Sequence, residues 1–393
     1  MQPFEVLFSS SRMVCRPGAV AGLADEVRKL GLKRLMMVSG TRSARSQAAH
    51  QVRQALGSLI AAECSGIPSH SGVAQVTALA DSARQHQIDG FIAVGGGSAS
   101  DSAKAAAILL AEGGSLPDHA NVFTPPDHYV QRVLPARKLP IIAVPTTLSA
   151  AEITPGLGIR DDHGHKLVFW DPGVVPRLIV LDERALSDVP AEVLTTTGMN
   201  ALAHCIEGLY SKVRNPVSEA LALRGIRLLH GALPRVWAAG PAEPGAASAR
   251  GEALVGASLS GLVISNARVG IHHGVCHGLG SLGGLAHGVA NSVLLPHAMR
   301  FNREVAAQPL ALAAQEMGVD TRGLTALQAA DAAVQAVESL QQAIGVPRRL
   351  SQTGLDRALL PRLARGAMSD RGLYFNPRLA TEAEVQALLE AAW

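Results

Sequence analysis

The sequence has no cluster of like charges. Its 393 residues include 35 Lys and Arg and 32 Asp and Glu, which are scattered along the chain and give a formal net charge of +3. Binding to a nucleic-acid backbone needs a patch or stripe of cations, so no nucleic-acid partner is expected. A small anionic molecule is compatible with this charge.

Paired cysteines and long apolar runs are also missing. The chain has four cysteines, Cys15, Cys64, Cys205 and Cys276, which form no CxxC pair and no framework of the secreted kind; this favours a reducing compartment. No uninterrupted apolar stretch reaches about 18 residues, and the first ten residues lack a basic segment followed by an apolar run. We therefore predict a cytoplasmic protein with no membrane partner.

The apolar content, 48% against 17% charged residues, is enough for a chain of this length to bury the cores of two domains. Apolar runs lie at residues 34–40, 90–98, 139–147 and 177–182, and helical patterns lie at 46–60 and 76–87. Such an alternation is typical of a parallel sheet covered on both faces. Because β-branched runs disappear after about residue 190, we predict an α/β domain at 1–185 and an all-helical domain at 186–393.

A glycine-rich turn follows the second apolar run. The segment GFIAVGGGSASDSAKAAAILL places three glycines and a serine between a predicted strand and a helix that carries Asp101 and Lys104. Glycines let the backbone approach a phosphate, and a helix N-terminus offers unpaired N–H groups. The turn is a candidate pyrophosphate site, with a purely steric strand-to-helix turn as the alternative.

Hydroxyl side chains follow the third apolar run, in VPTTLSAAE. Thr146, Thr147 and Ser149 are predicted at the carboxyl edge of the sheet, where open α/β sheets bind their ligands. The alternative is a capped turn, because Thr and Ser also cap helices.

Histidines recur at helical spacing in the second half. Asn200 and His204 are separated by four residues, as are His273 and His277, and His287 follows a glycine-rich loop. Residues at this spacing share one helix face, and a metal site needs several such donors at one point. His272 is expected to point elsewhere. Histidines satisfied within a core are the alternative.

The order of these motifs resembles the iron-containing alcohol dehydrogenase superfamily: GGGS with Asp101 and Lys104, then PTT with Glu152, then GMNALAH, then HxxxH and a late HG. The resemblance covers nearly the whole chain. It implies a dehydroquinate synthase-like architecture, in which a dinucleotide-binding α/β domain packs on a helical domain with the active site in the cleft between them.

The resemblance also implies roles for individual residues. Gly95, Gly96, Gly97 and Ser98 would hold the pyrophosphate of NAD(P)H, with Asp101, Thr146, Thr147 and Ser149 also at the nucleotide. The divalent metal, iron or zinc, would be bound by Asn200, His204, His273 and His287. His277 would lie near the nicotinamide and the reacting oxygen.

Asn200 departs from the pattern of the metal-dependent members, which carry Asp at this position. A neutral amide is a weaker donor for a divalent cation than a carboxylate. Asn200 with ALAH, and the HHxxCHxLG segment, resemble the maleylacetate reductases, whereas residues 286–302 are more similar to the alcohol dehydrogenases. Without a metal, His204, His273 and His277 would have to act as hydrogen-bond donors to the substrate oxygen.

The sequence thus predicts an NAD(P)H-dependent oxidoreductase that acts on a small keto or enone substrate, anionic substrates included. A metal-dependent alcohol dehydrogenase is the nearest alternative, followed by a dehydroquinate synthase-like lyase and a nucleotide-binding protein without catalysis. The predicted end of the first strand has Ser39 and Gly40 with Arg42 and Arg45 following, where NAD-selective relatives usually have Asp, so NADPH should be tolerated. A homodimer is expected.

Overall fold

The computed structural model describes residues 3–69, 71–239 and 244–393. The chain forms two compact units. The α/β unit comprises Phe8–Val122 and Tyr129–Val189, and the helical unit comprises residues 3–7, Phe123–His128 and Pro190–Trp393.

A six-stranded sheet forms the centre of the α/β unit. Its strands are β1 (Arg12–Cys15), β2 (Leu35–Gly40), β3 (Ile60–Ile67), β4 (Gly90–Gly95), β7 (Ile141–Pro145) and β10 (Leu178–Leu181). The order is β1-β10-β7-β4-β2-β3, and all neighbours are parallel. The remaining strands are short: β5 (Val122–Thr124), β6 (His128–Val130), β8 (Gly156–Arg160) and β9 (Lys166–Trp170). Strands β8 and β9 form an antiparallel pair.

Four helices accompany this sheet: α1 (Leu23–Lys29), α2 (Gln47–Leu56), α3 (Val73–Gln85) and α4 (Gly97–Glu112). Successive side chains of a strand point to opposite faces, and the two faces have separate cores. Met37 and Ile92 belong to one core, and Met36 and Phe91 to the other. Both faces are therefore covered, which explains the near-continuous apolar runs of the central strands.

One prediction for the α/β unit needs correction, and two strands were not predicted. The helical pattern at 46–60 ends as a helix at Leu56, because Gly57 has a φ of +49° and the chain turns there into β3. Strands β1 and β3 did not stand out in the sequence. Both lie at sheet edges and are partly exposed, so they lack the continuous apolar run of a buried strand.

The helical unit contains the remaining helices, α5 (Ala191–Tyr210), α6 (Pro216–Ala238), α7 (Pro244–Ala267), α8 (Ile271–Ser281), α9 (His287–Asn302), α10 (Ala307–Glu316), α11 (Ala326–Ala343), α12 (Leu360–Ala367), α13 (Gly372–Phe375) and α14 (Glu382–Ala391). The predicted fold class, an α/β region followed by a helical one, is confirmed. Helix α5 is buried along almost its whole length, so its polar side chains must find partners within the protein.

Within the described residues, no single helix is both long and apolar enough to cross a membrane. Helices α7 and α8 meet that criterion only as a pair, and they are bent by 107° relative to each other.

Candidate functional site

The glycine loop, defined here as residues 95–98, lies where the sheet reverses its strand order. The chain passes from β2 outward to β3 and then returns to β4 on the other side of β2. Gly95 ends β4, Gly96 precedes the first turn of α4, and among the described residues no side chain caps this helix. Ligands of open α/β sheets bind at such a switch point, and an uncapped helix N-terminus attracts anions.

The glycine loop touches the hydroxyl loop, defined here as residues 146–149. The Thr146 N–H donates to the Gly95 carbonyl oxygen at 2.9 Å. A Cβ atom at Gly96 would lie 2.9 Å from Thr147 Cγ2, and one at Gly97 would lie 3.6 Å from Ser149 Oγ. Glycine at position 96 thus allows the close approach of the two loops.

Two of the predicted hydroxyls accept long local hydrogen bonds from backbone N–H groups. Thr147 Oγ1 accepts from Ser149 N at 3.4 Å, and Ser149 Oγ accepts from Ala151 N at 3.4 Å. Side-chain oxygens that accept from the N–H two residues later are typical of a capped turn, so this alternative reading of the hydroxyl loop applies in part. Ser98 lies in the first turn of α4. Its contact with a nucleotide, like those of the hydroxyl loop, stays a prediction.

Asp101 faces the protein backbone. Its Oδ2 accepts a hydrogen bond from the Gly158 N–H at 3.1 Å, and burial raises the pKa of its carboxyl group. Sequence reasoning missed Ser100 as a residue of this site. The hydroxyls of Ser39 and Ser100 are buried and have no hydrogen-bond partner among the described residues, which is the state expected of groups that await a polar ligand.

Helices α5, α8 and α9 bring a histidine cluster together in the helical unit. Its members are Asn200, His204, Glu207, His272, His273, His277 and His287. The ring centroids of His204 and His273 are 4.6 Å apart in a stacked arrangement, and those of His273 and His287 are 5.8 Å apart. His273 Nε2 lies 3.1 Å from Asn200 Oδ1. The structure therefore places all five residues predicted for the metal and the reacting oxygen in one cluster.

Glu207 is the member of the cluster that sequence reasoning missed. Its Oε2 lies 2.5 Å from His273 Nδ1, and its Oε1 accepts from the N–H groups of Gly270 and His272, each at 2.9 Å. Although burial opposes ionisation, the neighbouring histidines hold the pKa of Glu207 well below its usual range. The signal was present, since Glu207 follows His204 by three residues and Asn200 by seven, on the same helix face.

The hydrogen bonds fix which nitrogen of each ring bears a proton. Burial lowers the pKa of His273 to about 4 and that of His204 well below its usual value, so both are neutral near pH 7. His273 donates Nδ1–H to Glu207. His204 donates Nδ1–H to Ser260, whose own hydroxyl donates to Ala257 O at 2.8 Å. Both Nε2 atoms therefore carry lone pairs.

This donor set fits a divalent cation. His273 Nε2 and Asn200 Oδ1 are both electron-pair donors at 3.1 Å, an arrangement that a bound cation satisfies and that otherwise requires the Asn200 amide to turn its NH₂ group toward the ring. Nitrogen and oxygen donors of this type suit iron and zinc. A second grouping, Glu207, His272 and His273, has ligand atoms within 4.8 Å of one another.

The expectation that His272 points elsewhere holds only in part: His272 lies on the Nδ1 side of the His273 ring, whereas Asn200 lies at Nε2, but it still belongs to the cluster. Its Nε2 lies 3.0 Å from the Asn291 carbonyl oxygen and its Nδ1 lies 3.2 Å from His273 Nδ1. Adjacent helix positions do diverge, but α8 is buried between neighbours, and the face that carries His272 packs against α9. His272 thereby supports the ring of His273 from the side.

His277 has its own carboxylate partner. Its Nδ1 lies 2.7 Å from Asp370 Oδ2, and Asp370 Oδ1 accepts from the Gly372 N–H at 2.7 Å. The ring stacks on His287 with centroids 5.7 Å apart and keeps 25% of its side chain exposed. His277 and His287 are thus the two half-buried members of the histidine cluster, and the Asp370 contact at Nδ1 of His277 directs its Nε2 to the other side of the ring.

Two protein-family models match this chain. The model of the iron-containing alcohol dehydrogenases matches residues 10–183, and the model of the C-terminal region of the Fe-containing alcohol dehydrogenase family matches residues 194–393. The chain belongs to the iron-containing alcohol dehydrogenase family, whose members are oxidoreductases that use NAD(P)H and an iron or zinc ion.

Individual relatives differ in their named activities. The chain is 31% identical to a lactaldehyde reductase of Escherichia coli, with 96% of each chain covered, and 30% identical to a maleylacetate reductase of Sphingobium indicum, with 99% of this chain and 95% of the other covered. A solved 1,3-propanediol oxidoreductase superposes with a TM-score of 0.91 at 29% identity, and each chain is fully covered.

Proposed function

We propose that the chain is an NAD(P)H-dependent reductase that transfers hydride to a small keto or enone substrate, anionic substrates included. The observation that carries this proposal is that Asn200 Oδ1, the His204 ring and His273 Nε2 lie together within the buried histidine cluster. The hydrogen bonds at Nδ1 of the two histidines assign lone pairs to their Nε2 atoms. Such a set holds a cation, or a substrate hydroxyl, beside an oxygen that changes its charge during hydride transfer.

NAD(P)H, when bound, supplies the hydride. We assign its pyrophosphate to Gly95, Gly96, Gly97 and Ser98, with Asp101, Thr146, Thr147 and Ser149 beside the nucleotide. The uncapped start of α4 and the unpartnered hydroxyls of Ser39 and Ser100 support this assignment. In this assignment Asp101 acts through Gly158, because its carboxylate already accepts that N–H.

An iron or zinc ion, when bound, polarises the substrate oxygen as a Lewis acid. Asn200, His204, His273 and His287 would hold it. Glu207 fixes the tautomer of His273 and raises the basicity of its Nε2. Asp370 holds Nδ1 of His277, so that Nε2 is the atom that exchanges a proton with the reacting oxygen.

The finer assignment is a reductase of the maleylacetate type, which Asn200 in place of a carboxylate favours; its place would be in the breakdown of aromatic compounds. A metal-dependent alcohol dehydrogenase is the second candidate, and the lone pairs of His204 and His273 favour it. The two candidates differ in the need for a metal ion, which an experiment can decide.

The experiment measures oxidation of NADH by the purified protein with maleylacetate and with lactaldehyde, before and after chelation, beside metal analysis by plasma mass spectrometry. Stoichiometric NADH oxidation that survives chelation supports the maleylacetate type. Activity that is lost on chelation and restored by Fe²⁺ or Zn²⁺ supports the second candidate. NADH and NADPH left unchanged with every ketone and enone offered would refute the proposal.

We expect the enzyme to accept NADPH, with a kcat/KM that differs from the value for NADH by less than about a thousandfold. Ser39 and Gly40 end β2 without an acidic side chain, and Arg42 and Arg45 follow, so these four residues place no negative charge against a 2′-phosphate. The ratio of kcat/KM for the two cofactors measures this. A preference for NADH beyond a thousandfold, roughly 4 kcal/mol, contradicts the prediction.

Three wider assignments complete the proposal: domain limits at 1–185 and 186–393, a cytoplasmic location and a homodimer. The four cysteines are free, which is consistent with a reducing compartment. Light scattering should give twice the chain mass of 40.8 kDa. A mass equal to one chain would refute the dimer.

A further inference from the structure

Lys104 is a buried ammonium group that neither the nucleotide nor the substrate assignment uses. It lies on α4 with no exposed surface. Its Nζ donates to three backbone carbonyl oxygens, those of Ala151 at 2.5 Å, Thr154 at 2.6 Å and Gly156 at 3.3 Å. All three carbonyls belong to the segment that follows the hydroxyl loop.

Asp101 binds the same stretch of chain one helical turn earlier. Its carboxylate accepts from the Gly158 N–H, so α4 holds residues 151–158 at three carbonyls and one amide. The glycine loop is continuous with the start of α4, and the hydroxyl loop is continuous with residue 151. The two side chains thus connect the helix of one loop to the chain that leaves the other.

The segment needs such a partner because its backbone is irregular. Ala150 has a φ of +62°, which is uncommon for a residue with a side chain, and β8 begins only at Gly156. Carbonyls buried outside a helix or sheet must be paired by other donors. An ammonium supplies three donors at one point, whereas an apolar side chain at position 104 supplies none.

Burying the ammonium of Lys104 costs free energy, so its hydrogen bonds to the three carbonyls must offset this cost. Burial lowers the pKa of Lys104 to about 8 and raises that of the nearby Glu152 to about 7, while the charges of Asp101 and Glu152 favour the ammonium form. A buried charge needs charged partners and hydrogen bonds to persist. Lys104 has both, and its three hydrogen bonds all go to one segment.

We propose that Lys104 is a positioning residue for the dinucleotide: by binding the carbonyls of Ala151, Thr154 and Gly156, it sets the hydroxyl loop against the glycine loop. The inference rests on the proposed function, since it takes these two loops as the nucleotide site. Loss of the ammonium would remove a donor from all three carbonyls and leave those of Ala151 and Gly156 to share the single hydroxyl of Thr154. Residues 147–156 would then be free to move away from Gly96. NAD(P)H would then bind less tightly, without direct loss of any group that touches it.

The test compares Lys104→Met, which has no donor, with Lys104→Gln, which keeps one NH₂ group, in the full-length protein. Ile108→Ala is the matched control, because Ile108 is fully buried one turn further along α4 and its truncation loosens the core without removing a hydrogen bond to residues 151–156. We measure the dissociation constant for NADH by fluorescence titration well below the melting temperature, and kcat and KM for NADH.

We expect Lys104→Met to raise the dissociation constant about tenfold or more, Lys104→Gln to fall between it and the wild type, and kcat at saturating NADH to stay within about threefold. Ile108→Ala should lower the melting temperature and leave NADH affinity unchanged. If Lys104→Met does not fold, the dissociation constants of Lys104→Gln and Ile108→Ala are compared instead, and only that of Lys104→Gln should exceed the wild-type value.

Wild-type NADH affinity in the Lys104 variants, or an equal loss in Ile108→Ala, would show a merely structural lysine and overturn the inference. A wild-type protein that binds neither NADH nor NADPH would instead refute the proposed function on which the inference rests. The two failures are therefore distinguishable.

Discussion

The two candidate sites of this protein are built from different groups. In the α/β unit, the contacts between the glycine loop and the hydroxyl loop involve backbone atoms and small side chains, with Lys104 and Asp101 binding backbone groups behind them. In the helical unit, the histidine cluster consists of side chains that bind one another, such as Glu207 and His273. The first site should therefore respond to added volume, and the second to a change of charge or of hydrogen-bond donors.

The sharpest way to break the first site is Gly96→Val, which we expect to abolish NADH binding while the fold persists. The Cβ atom would lie 2.9 Å from Thr147 Cγ2, so Thr147 would have to move out of the hydroxyl loop. Fluorescence titration measures the binding. The matched control is Gly231→Val, since a Cβ atom at Gly231 meets nothing within 4 Å. Retained wild-type affinity in Gly96→Val would mean that this loop is not the nucleotide site.

The corresponding change in the second site is Glu207→Gln, which preserves volume and removes charge. The amide has one acceptor oxygen where the carboxylate uses two to accept three N–H groups, so His273 loses its fixed tautomer. We expect kcat/KM to fall about a hundredfold, with NADH affinity unchanged. Glu304→Gln, an exposed carboxylate on the same unit, is the control and should be silent. Equal activity in the two variants would refute the role of Glu207.

A smaller effect should come from Asn200→Asp, which restores a charged oxygen donor and should raise affinity for Fe²⁺ or Zn²⁺ about tenfold. His273→Ala or His287→Ala should abolish this gain, whereas His277→Ala should lower turnover and retain the metal. Plasma mass spectrometry measures metal content. The same content in the wild type, in the Asp variant and in the two alanine variants would show that these residues do not form one site.

Adding His272→Ala to that series separates the two metal placements. A metal held by Glu207, His272 and His273 would depend on His272 and would be insensitive to Asn200→Asp and His287→Ala. If metal content depends on His272 and not on Asn200 or His287, the metal is bound by Glu207, His272 and His273. Asn200 would then be a substrate-binding group.

The smallest effect concerns His297, a histidine of α9 outside the cluster. Burial, together with the charges of Arg300 and Arg349, lowers its pKa to about 4. The unfolded state therefore binds more protons than the folded state between about pH 6.5 and pH 4, so stability falls as the pH drops through this range and levels off below it. His297→Gln should remove on the order of 1 kcal/mol of this acid dependence, once the linkage value is discounted for the solvent that screens this half-buried ring. Urea unfolding at pH 7 and pH 4.5 measures it, and an unchanged difference between the two pH values would contradict the assignment.

Sequence patterns predicted the centre of the fold better than its edges. The runs that became β2, β4, β7 and β10 are buried on both faces and are therefore continuously apolar. Strand β3 contains small and polar residues at a partly exposed edge, so it lacks the apolar run that would separate it from the preceding helical pattern. The turn that ends α2 at Leu56 was recognised only from the positive φ of Gly57 in the structure.

The candidate site shows a similar limit. Helical spacing predicted Asn200 with His204, and the same spacing extended by one turn would have found Glu207. Asp370 could not be found in this way, because it lies 93 residues from His277 along the chain. The carbonyls bound by Lys104 leave no sequence signal at all, since every residue has one.

The position of β1 has a consequence for how the protein is made. Among the described residues, strand β1 pairs with β10 alone, and Arg12 lies opposite Leu178 in the register. Asp182, which follows β10, accepts the N–H groups of Gly18 and Val20 at 3.0 and 3.1 Å. On a ribosome, the first strand therefore waits unpaired until more than 160 further residues have been synthesised. Such a long-range pairing closes late and slowly, so the sheet is completed from its middle, and its first-made strand is added last.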